Sequence, residues 1–328
     1  GLLMLDAHPR VMSVAIVGLG GAGLRHLQTL RRVCGPRCDV HTYDLLAERS
    51  SMKSAKLHTG SLTNHHTLRE LNSRGPFDLA IVATPPNVCL DIAAELYSAS
   101  NVLLLEKPVS LSRTDVEMFL SEFGTEKCFV GFQHLFSDDY QQFRSVHRDA
   151  GDLQRVDLRL SWFRSKKYFS GWRADRAAAG GILHHQAIHG MALVHRSVGL
   201  GDYRSCSATP VFEHSRPGFP SEDRVECFIP LFGGAEFRID ARVDARGLPE
   251  HQLTYIYSGG RLPAPVGGEL SFFRIDLQST EAHARSRAKM LKCALAAPAT
   301  QRDQLFRLDE LPPLLGWIEV LDTGGVRS

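Results

Sequence analysis

Gly18-x-Gly20-x-x-Gly23 follows directly on the apolar run Val14-Ala15-Ile16-Val17 and leads into Leu24, Leu27 and Leu30, which fall near one helical face. Strand, glycine turn and helix in that order constrain this chain more than any other feature. The glycines allow a tight turn, close approach of backbone to a pyrophosphate, and close packing of helix on strand. The helix N-terminus adds N–H donors and the positive end of a dipole. A second predicted strand, 40–43, ends at Asp44, 21 residues after Gly23, where an acid accepts hydrogen bonds from an adenosine ribose. The pattern predicts a dinucleotide site at Gly18, Gly20, Gly21, Ala22, Gly23 and Asp44. The charge of Asp44 repels the extra phosphate of NADP and favours NAD, while Arg49 keeps NADP open.

Apolar runs at 77–84, 102–105 and 128–132 alternate with helical stretches at 88–99 and 112–123. That rhythm predicts βαβ units and a parallel sheet covered on both faces. Past residue 133 the period changes. Val156, Leu158, Leu160 and Trp162 alternate with Arg155, Asp157, Arg159 and Ser161, and the same spacing recurs at 225–229, 235–243 and 273–277. Period-two alternation predicts a sheet with one face on a core and one face polar. A long helical stretch is predicted over 180–199. The fold class is therefore α/β: a doubly wound parallel sheet over residues 1–133, then an α+β domain over 134–328 with a large, mostly antiparallel open sheet. Two domains also suit 328 residues, since single cores rarely grow past roughly 250–300.

The 38 Lys+Arg nearly balance 36 Asp+Glu, for a formal charge of +2. That leaves no electrostatic footprint for nucleic acid or a membrane surface. No apolar run approaches the ~20 residues that span a bilayer, and Asp6 and His8 interrupt the first apolar stretch, so a cytoplasmic protein is expected. Seven cysteines without a CxxC pair read as free thiols. His184, His185, His189 and His195 raise the question of zinc, but no thiol or carboxylate is placed to complete a site, so no metal is expected. His65-His66 reads as a solvated loop pair.

Three features could carry chemistry: Glu106-Lys107-Pro108 at the end of a predicted strand, Trp172-Arg173, and the stretch 180–189 with His185 and His189 four apart. Ligands of open α/β sheets bind beyond the carboxyl ends of the strands, which puts Lys107 near the cofactor. A lysine beside the positive charge of oxidised nicotinamide would have a lowered pKa and could polarise a substrate hydroxyl. Histidine titrates near neutral pH unaided, as a proton carrier must.

At these residues the chain resembles the Gfo/Idh/MocA family (glucose–fructose oxidoreductase, inositol dehydrogenase, rhizopine-catabolism oxidoreductases). The matching pieces are GLGGAG at 18–23, ATPP at 83–86, EKPVS at 106–110, GFQHLF at 131–136, WR at 172–173, GGILHHQAIH at 180–189, and Glu222-Asp223 before a strand. The resemblance implies a Rossmann domain, a second domain with an open sheet that commonly meets its twin in a homodimer or homotetramer, and NAD(P)-dependent redox chemistry. The implied reaction moves a hydride between nicotinamide and a carbinol or ketone carbon of a sugar, nucleotide-sugar or cyclitol, held in a cleft between the domains. Lys107 would be the catalytic lysine and His189 the acid/base; Thr84, Pro85 and Glu106 would line the nicotinamide half. Tyr168 and Trp172, with Arg173, could wall the substrate pocket.

The chain departs from the family at several points. His185 stands where the family has Asp or Asn, Ala192 where it often has Asp, Cys89 where a histidine is common, and GFQHLF replaces an arginine-rich pattern. A neutral imidazole at 185 orients His189 more weakly than a carboxylate. Two alternatives therefore stay open: the same cofactor chemistry on an imine or diol, and a nucleotide-binding sensor or partner protein without catalysis.

Overall fold

The computed structural model describes residues 10–46, 61–205, 209–259, 270–296, 299–324 and 326–327. Arg49, Cys206 and the residues before Arg10, which bear on the cofactor, cysteine and localisation readings, lie outside the described residues. The chain divides into two compact units, Gly1–Phe136 with Ala284–Asp309, and Ser137–His283 with Glu310–Ser328. The first division falls just beyond the predicted 133, and a segment assigned from sequence to the second domain belongs to the first unit. Its reason is a short returning strand: Phe306–Arg307 pairs antiparallel with Val130 and Phe129, and Phe306 packs edge-on against Phe132, 4.8 Å between ring centres. A strand of two residues leaves no periodicity to read.

In the first unit, β1 (Met12–Val17), β2 (Cys38–Tyr43), β3 (Leu62–Asn64), β4 (Leu79–Val82), β5 (Leu103–Leu105) and β6 (Cys128–Val130) pair in parallel in the order β6-β5-β4-β1-β2-β3, with Phe306–Arg307 beside β6. Helices α1 (Gly21–Cys34), α2 (Leu68–Asn72), α3 (Pro86–Leu96) and α4 (Arg113–Phe123) lie between the strands in sequence. The strand order reverses at β1, where sheets of this kind take ligands. Every residue of β4 and β5 is buried, as two covered faces require. Local chemistry starts the helices: Thr67 accepts the Glu70 N–H at 3.1 Å while the Glu70 carboxylate reaches back to the His66 N–H at 3.0 Å, and Ser112 accepts from Asp115. His66 is exposed, but the expectation of a solvated pair fails for His65. It is buried, with Nε2 3.0 Å from His41 Nδ1 and the two rings stacked, because pairing of β3 with β2 carries the chain inward.

In the second unit, β7 (Asp152–Ser161), β8 (Val211–Glu213), β9 (Arg224–Pro230), β10 (Glu236–Arg242), β11 (Glu250–Ser258) and β12 (Leu270–Asp276) lie in the order β12-β11-β7-β10-β9-β8, with Val326–Arg327 beside β8. The pairing is antiparallel except for β7 with β10 and β8 with Val326–Arg327. A parallel pair needs a long crossover, which the helical segments and β8–β9 between β7 and β10 provide. Val156, Leu158 and Leu160 point into the core with Phe237, Ile239 and Ala241, while the other face carries ion pairs such as Arg224–Asp240 and Arg238–Glu226.

Helices α5 (Asp138–Val146), α6 (Arg176–Ala179) and α7 (Ile188–Ser197) belong to the same unit. The continuous helix predicted over 180–199 is corrected. Gly180 turns the chain at φ +71°, Leu183–Ala187 form a π-helical turn, and the α-helix proper begins at Ile188. The Glu222 carboxylate accepts the Ile182 N–H at 2.8 Å and stands 2.1 Å from where a Cβ on Gly181 would be. The chain therefore enters this helix from a glycine corner. Gly190 lets α7 settle on β7, since a Cβ there would lie 2.7 Å from a Leu158 methyl.

Among the described residues, no helix is long and apolar enough to cross a membrane, and no three His, Cys, Asp or Glu side chains are grouped to hold a metal ion. Among the described residues, Cys34, Cys38, Cys89, Cys128 and Cys227 carry free thiols.

Candidate active site

The glycine turn is built by contact as well as conformation. Gly18 adopts φ +91°, and a Cβ on it would lie 2.4 Å from the Ala83 carbonyl oxygen; one on Gly23 would lie 1.8 Å from the Gly18 carbonyl oxygen. Neither position admits a side chain. Gly20 precedes α1 without a side-chain cap, and the first turn holds no acidic residue, so its N–H groups and dipole are left to a ligand. Asp44 is nearly buried at the end of β2: Oδ2 accepts the Leu19 N–H at 2.5 Å and Oδ1 the Leu46 N–H at 2.7 Å. The acid is thereby tied to the glycine turn itself. Thr84 lies against the same turn, and Pro85 stands before α3. An uncapped helix start, a turn closed to side chains and a positioned acid fit a dinucleotide.

Glu106 and Lys107 follow β5 at the same edge of the sheet, and the Lys107–Pro108 peptide is cis. Glu106 Oε1 lies 2.5 Å from His26 Nε2, on the buried face of α1. Burial pushes the Glu106 carboxyl up, but the His26 hydrogen bond and the charges of His26, Lys107 and Arg287 outweigh it and hold the group below its usual range. Glu106 is thus a largely buried strut, hydrogen-bonded to His26, between β5 and α1.

In the second unit, His185 lies in the π-helical turn and His189 one residue into α7. A π turn changes the side-chain register that an ideal α-helical i, i+4 spacing assumes. His185 is buried, 3.5 Å from the Ser221 hydroxyl, with its ring against Tyr168 and Phe169. Among the described residues 179–194, His189 alone is not buried. Its ring meets that of His251, on β11, edge-on at 6.5 Å between centres. Tyr168 receives a hydrogen bond from Gln186 Nε2 at 3.1 Å, and the Arg173 guanidinium lies over both Tyr168 and Trp172. Glu222 is almost wholly buried and paired with Arg176; Asp223 accepts from Ser215 and Arg216, pinning that loop. His184 is buried beside Arg176 and Glu222, and burial first, then the Arg176 charge, pushes its pKa down to about 4. It is neutral at neutral pH.

The predicted residues form two groups. Gly18, Gly20, Gly21, Ala22, Gly23, Asp44, Thr84, Pro85, Glu106 and Lys107 gather at one edge of the first unit's sheet; Tyr168, Trp172, Arg173, His185 and His189 belong to the second unit. Sequence reading does not find His26, Arg287, Arg164, Gln186 or His251. His26 carries one signal, a histidine on the apolar face of a helix, which requires a buried partner. The others depend on contacts between distant elements and leave no local trace.

Residues 12–134 match the GFO_IDH_MocA family, described as an oxidoreductase family with an NAD-binding Rossmann fold. The chain is 27% identical over 184 residues to 4-carboxy-2-hydroxymuconate-6-semialdehyde dehydrogenase of Sphingobium sp. (strain NBRC 103272 / SYK-6), covering 54% of this chain and 56% of that protein. It spans about half the length of the curated relatives it matches. Among solved structures, the WlbA dehydrogenase from Bordetella pertussis, in complex with NADH and UDP-GlcNAcA, superposes with a TM-score of 0.77 at 17% identity, covering 96% of each chain. Scyllo-inositol dehydrogenase from Lactobacillus casei, with bound NAD(H) and scyllo-inositol, does so at 0.77 and 13%, covering 96% of this chain and 97% of that one.

Proposed function

On the premise that residues 12–134 belong to the Gfo/Idh/MocA oxidoreductases with their NAD-binding Rossmann fold, we propose that this protein oxidises or reduces a CH–OH or C=O carbon of a sugar, nucleotide-sugar or cyclitol. The observation that carries the reading is the glycine turn closed to side chains and tied to Asp44. Gly18, Gly20, Gly21, Ala22 and Gly23 hold the pyrophosphate, Asp44 accepts from the ribose, and Thr84 and Pro85 border the nicotinamide half. Bound NAD supplies the hydride acceptor, and NADH the donor.

Lys107 donates a hydrogen bond to the substrate oxygen and stabilises charge on it. His189 takes the hydroxyl proton in the oxidative direction and returns it in reduction. Its partial exposure within an otherwise buried stretch supports that role, since a proton carrier must reach its substrate. His185 backs His189 in the role a carboxylate fills elsewhere in the family. Tyr168, Trp172 and Arg173 contact the substrate.

Titration with NADH and NADPH, followed by nicotinamide fluorescence, is the first test, with turnover then assayed on myo-inositol, glucose and UDP-glucose. Saturable binding that favours NADH, and turnover of at least one probe, is expected. A folded protein that binds neither nucleotide would overturn the proposal. Turnover confined to cyclic imines or simple diols would move the substrate class and keep the cofactor chemistry.

A further inference from the structure

The arginines in and beside the segment 162–176 include two kinds. Arg176 donates to Glu222 and lies 3.5 Å from Asp322; Arg216 donates to Asp223 at 2.5 Å. Among the described residues, Arg164 and Arg173 have no carboxylate partner. Both stack instead on Tyr168, their guanidinium carbons 4.4 and 4.9 Å from its ring centre. Arg164 reaches Gln186 Oε1 only at 3.4 Å, and its Nε is buried with no acceptor in reach among the described residues.

Aromatic faces offset part of a cation's desolvation. They place no lone pair in the guanidinium plane, where the five N–H donors point. Burial pushes the Arg164 pKa down; Tyr168 opposes the shift and the charge of Arg173 adds to it. Across 162–173 the chain has four basic residues, Arg164, Lys166, Lys167 and Arg173, and no acidic one, within a protein of net charge +2. Paired guanidinium forks of this sort match the in-plane oxygens of a carboxylate or phosphate.

We infer that Arg164 and Arg173, braced on Tyr168, bind an anionic group of the substrate, a carboxylate or a phosphate. This rests on the oxidoreductase reading above for the identity of the ligand as substrate, and narrows it to an acidic sugar derivative over a neutral polyol. Gln186 links the parts: its Nε2 holds the Tyr168 hydroxyl, and it stands directly after His185 and three residues before His189. An anion held there is anchored to the same helical segment that carries the proposed proton carrier.

Calorimetric titration of the NADH-loaded protein with glucose, glucuronate, glucose 6-phosphate and UDP-glucose tests this. At least one anionic probe should bind tenfold or more tighter than glucose, and Arg164→Met and Arg173→Met should each remove most of that advantage. Glucuronate against the two phosphate probes identifies the anion. Arg173 is only half-buried, so Arg173→Met keeps the test open if Arg164→Met fails to fold. Equal binding of all four probes, no binding of any, or an advantage retained in Arg173→Met overturns the inference. Tight anion binding lost in the variants, with no turnover of any probe in parallel assays supplied with NAD as the hydride acceptor, supports the anion site and removes the oxidoreductase reading instead.

Discussion

The carboxylate of Glu106 and the imidazole of His26, 80 residues apart in sequence, meet at 2.5 Å and join the end of β5 to the helix that begins at the glycine turn. Lys107 is the next residue along. Any ligand held at the start of α1 and any group held by Lys107 are therefore referenced to one largely buried hydrogen bond.

His26→Ala breaks that pair and leaves Glu106 with Arg287 and Lys107. Removing one partner of a largely buried hydrogen bond costs about 1–3 kcal/mol. Chemical denaturation should show a loss of that order, together with weaker NADH binding as α1 loses its tie to β5. The lowered Glu106 pKa sets a sign as well: its contribution is complete above the ordinary value of 4.5 and is lost as pH falls through the lower folded value. The His26→Ala variant should lose this acid-side slope. An unchanged midpoint and slope would show that the pair stabilises nothing.

Lys107→Met should bind NADH as the parent does and lose about two to four orders of magnitude in turnover. His189→Asn should lose turnover comparably, with an altered pH–rate profile. Near-normal turnover in the lysine variant would remove Lys107 from the chemistry.

Gly23→Ala places a methyl group 1.8 Å from the Gly18 carbonyl oxygen. The turn must open to admit it, at a cost of about 1–3 kcal/mol or more. A lower Tm and loss of saturable NADH binding are expected. Gly124, where a Cβ would meet nothing within 4 Å, is a control for crowding, although its φ of +83° strains any substitution.

His184, held near pKa 4 by burial, makes stability depend on pH. Below its unfolded value of about 6.5 the unfolded chain takes up a proton that the folded chain refuses. Stability is therefore intact above pH 6.5 and falls by up to about 3 kcal/mol as pH drops toward 4. His147 and His195 are lowered by burial in the same direction, so the informative quantity is the difference between wild type and His184→Phe. The variant should show the shallower acid slope between pH 6.5 and 4; identical slopes would show that His184 is not the group responsible.

Patterns that repeat locally are legible in the amino-acid sequence itself. The 14–17 run, the glycines and Asp44 are close in sequence, and each is dictated by what its own backbone must do. The alternation in β7, β9 and β10 likewise announces a sheet with one wet face. The helical pattern over 180–199 hides a break, because that break depends on Glu222, some forty residues downstream, taking the space beside Gly181. The burial of His65 is hidden for a similar reason: its neighbour His41 lies on another strand.

The sequence alone determined the two fold types, the dinucleotide turn and the residue types able to move a proton, because these follow from periodicity and backbone freedom, which are local. Only the tertiary structure decided which of those residues are spent on holding the protein together. Glu106 is hydrogen-bonded to His26, Glu222 and Asp223 are bound by arginines, and His184 is kept neutral, whereas Arg164 and Arg173 stack on a tyrosine with no carboxylate partner among the described residues. Burial and partnership are set by elements far apart in the chain, and no spacing of letters encodes which distant charge will arrive to neutralise a given one.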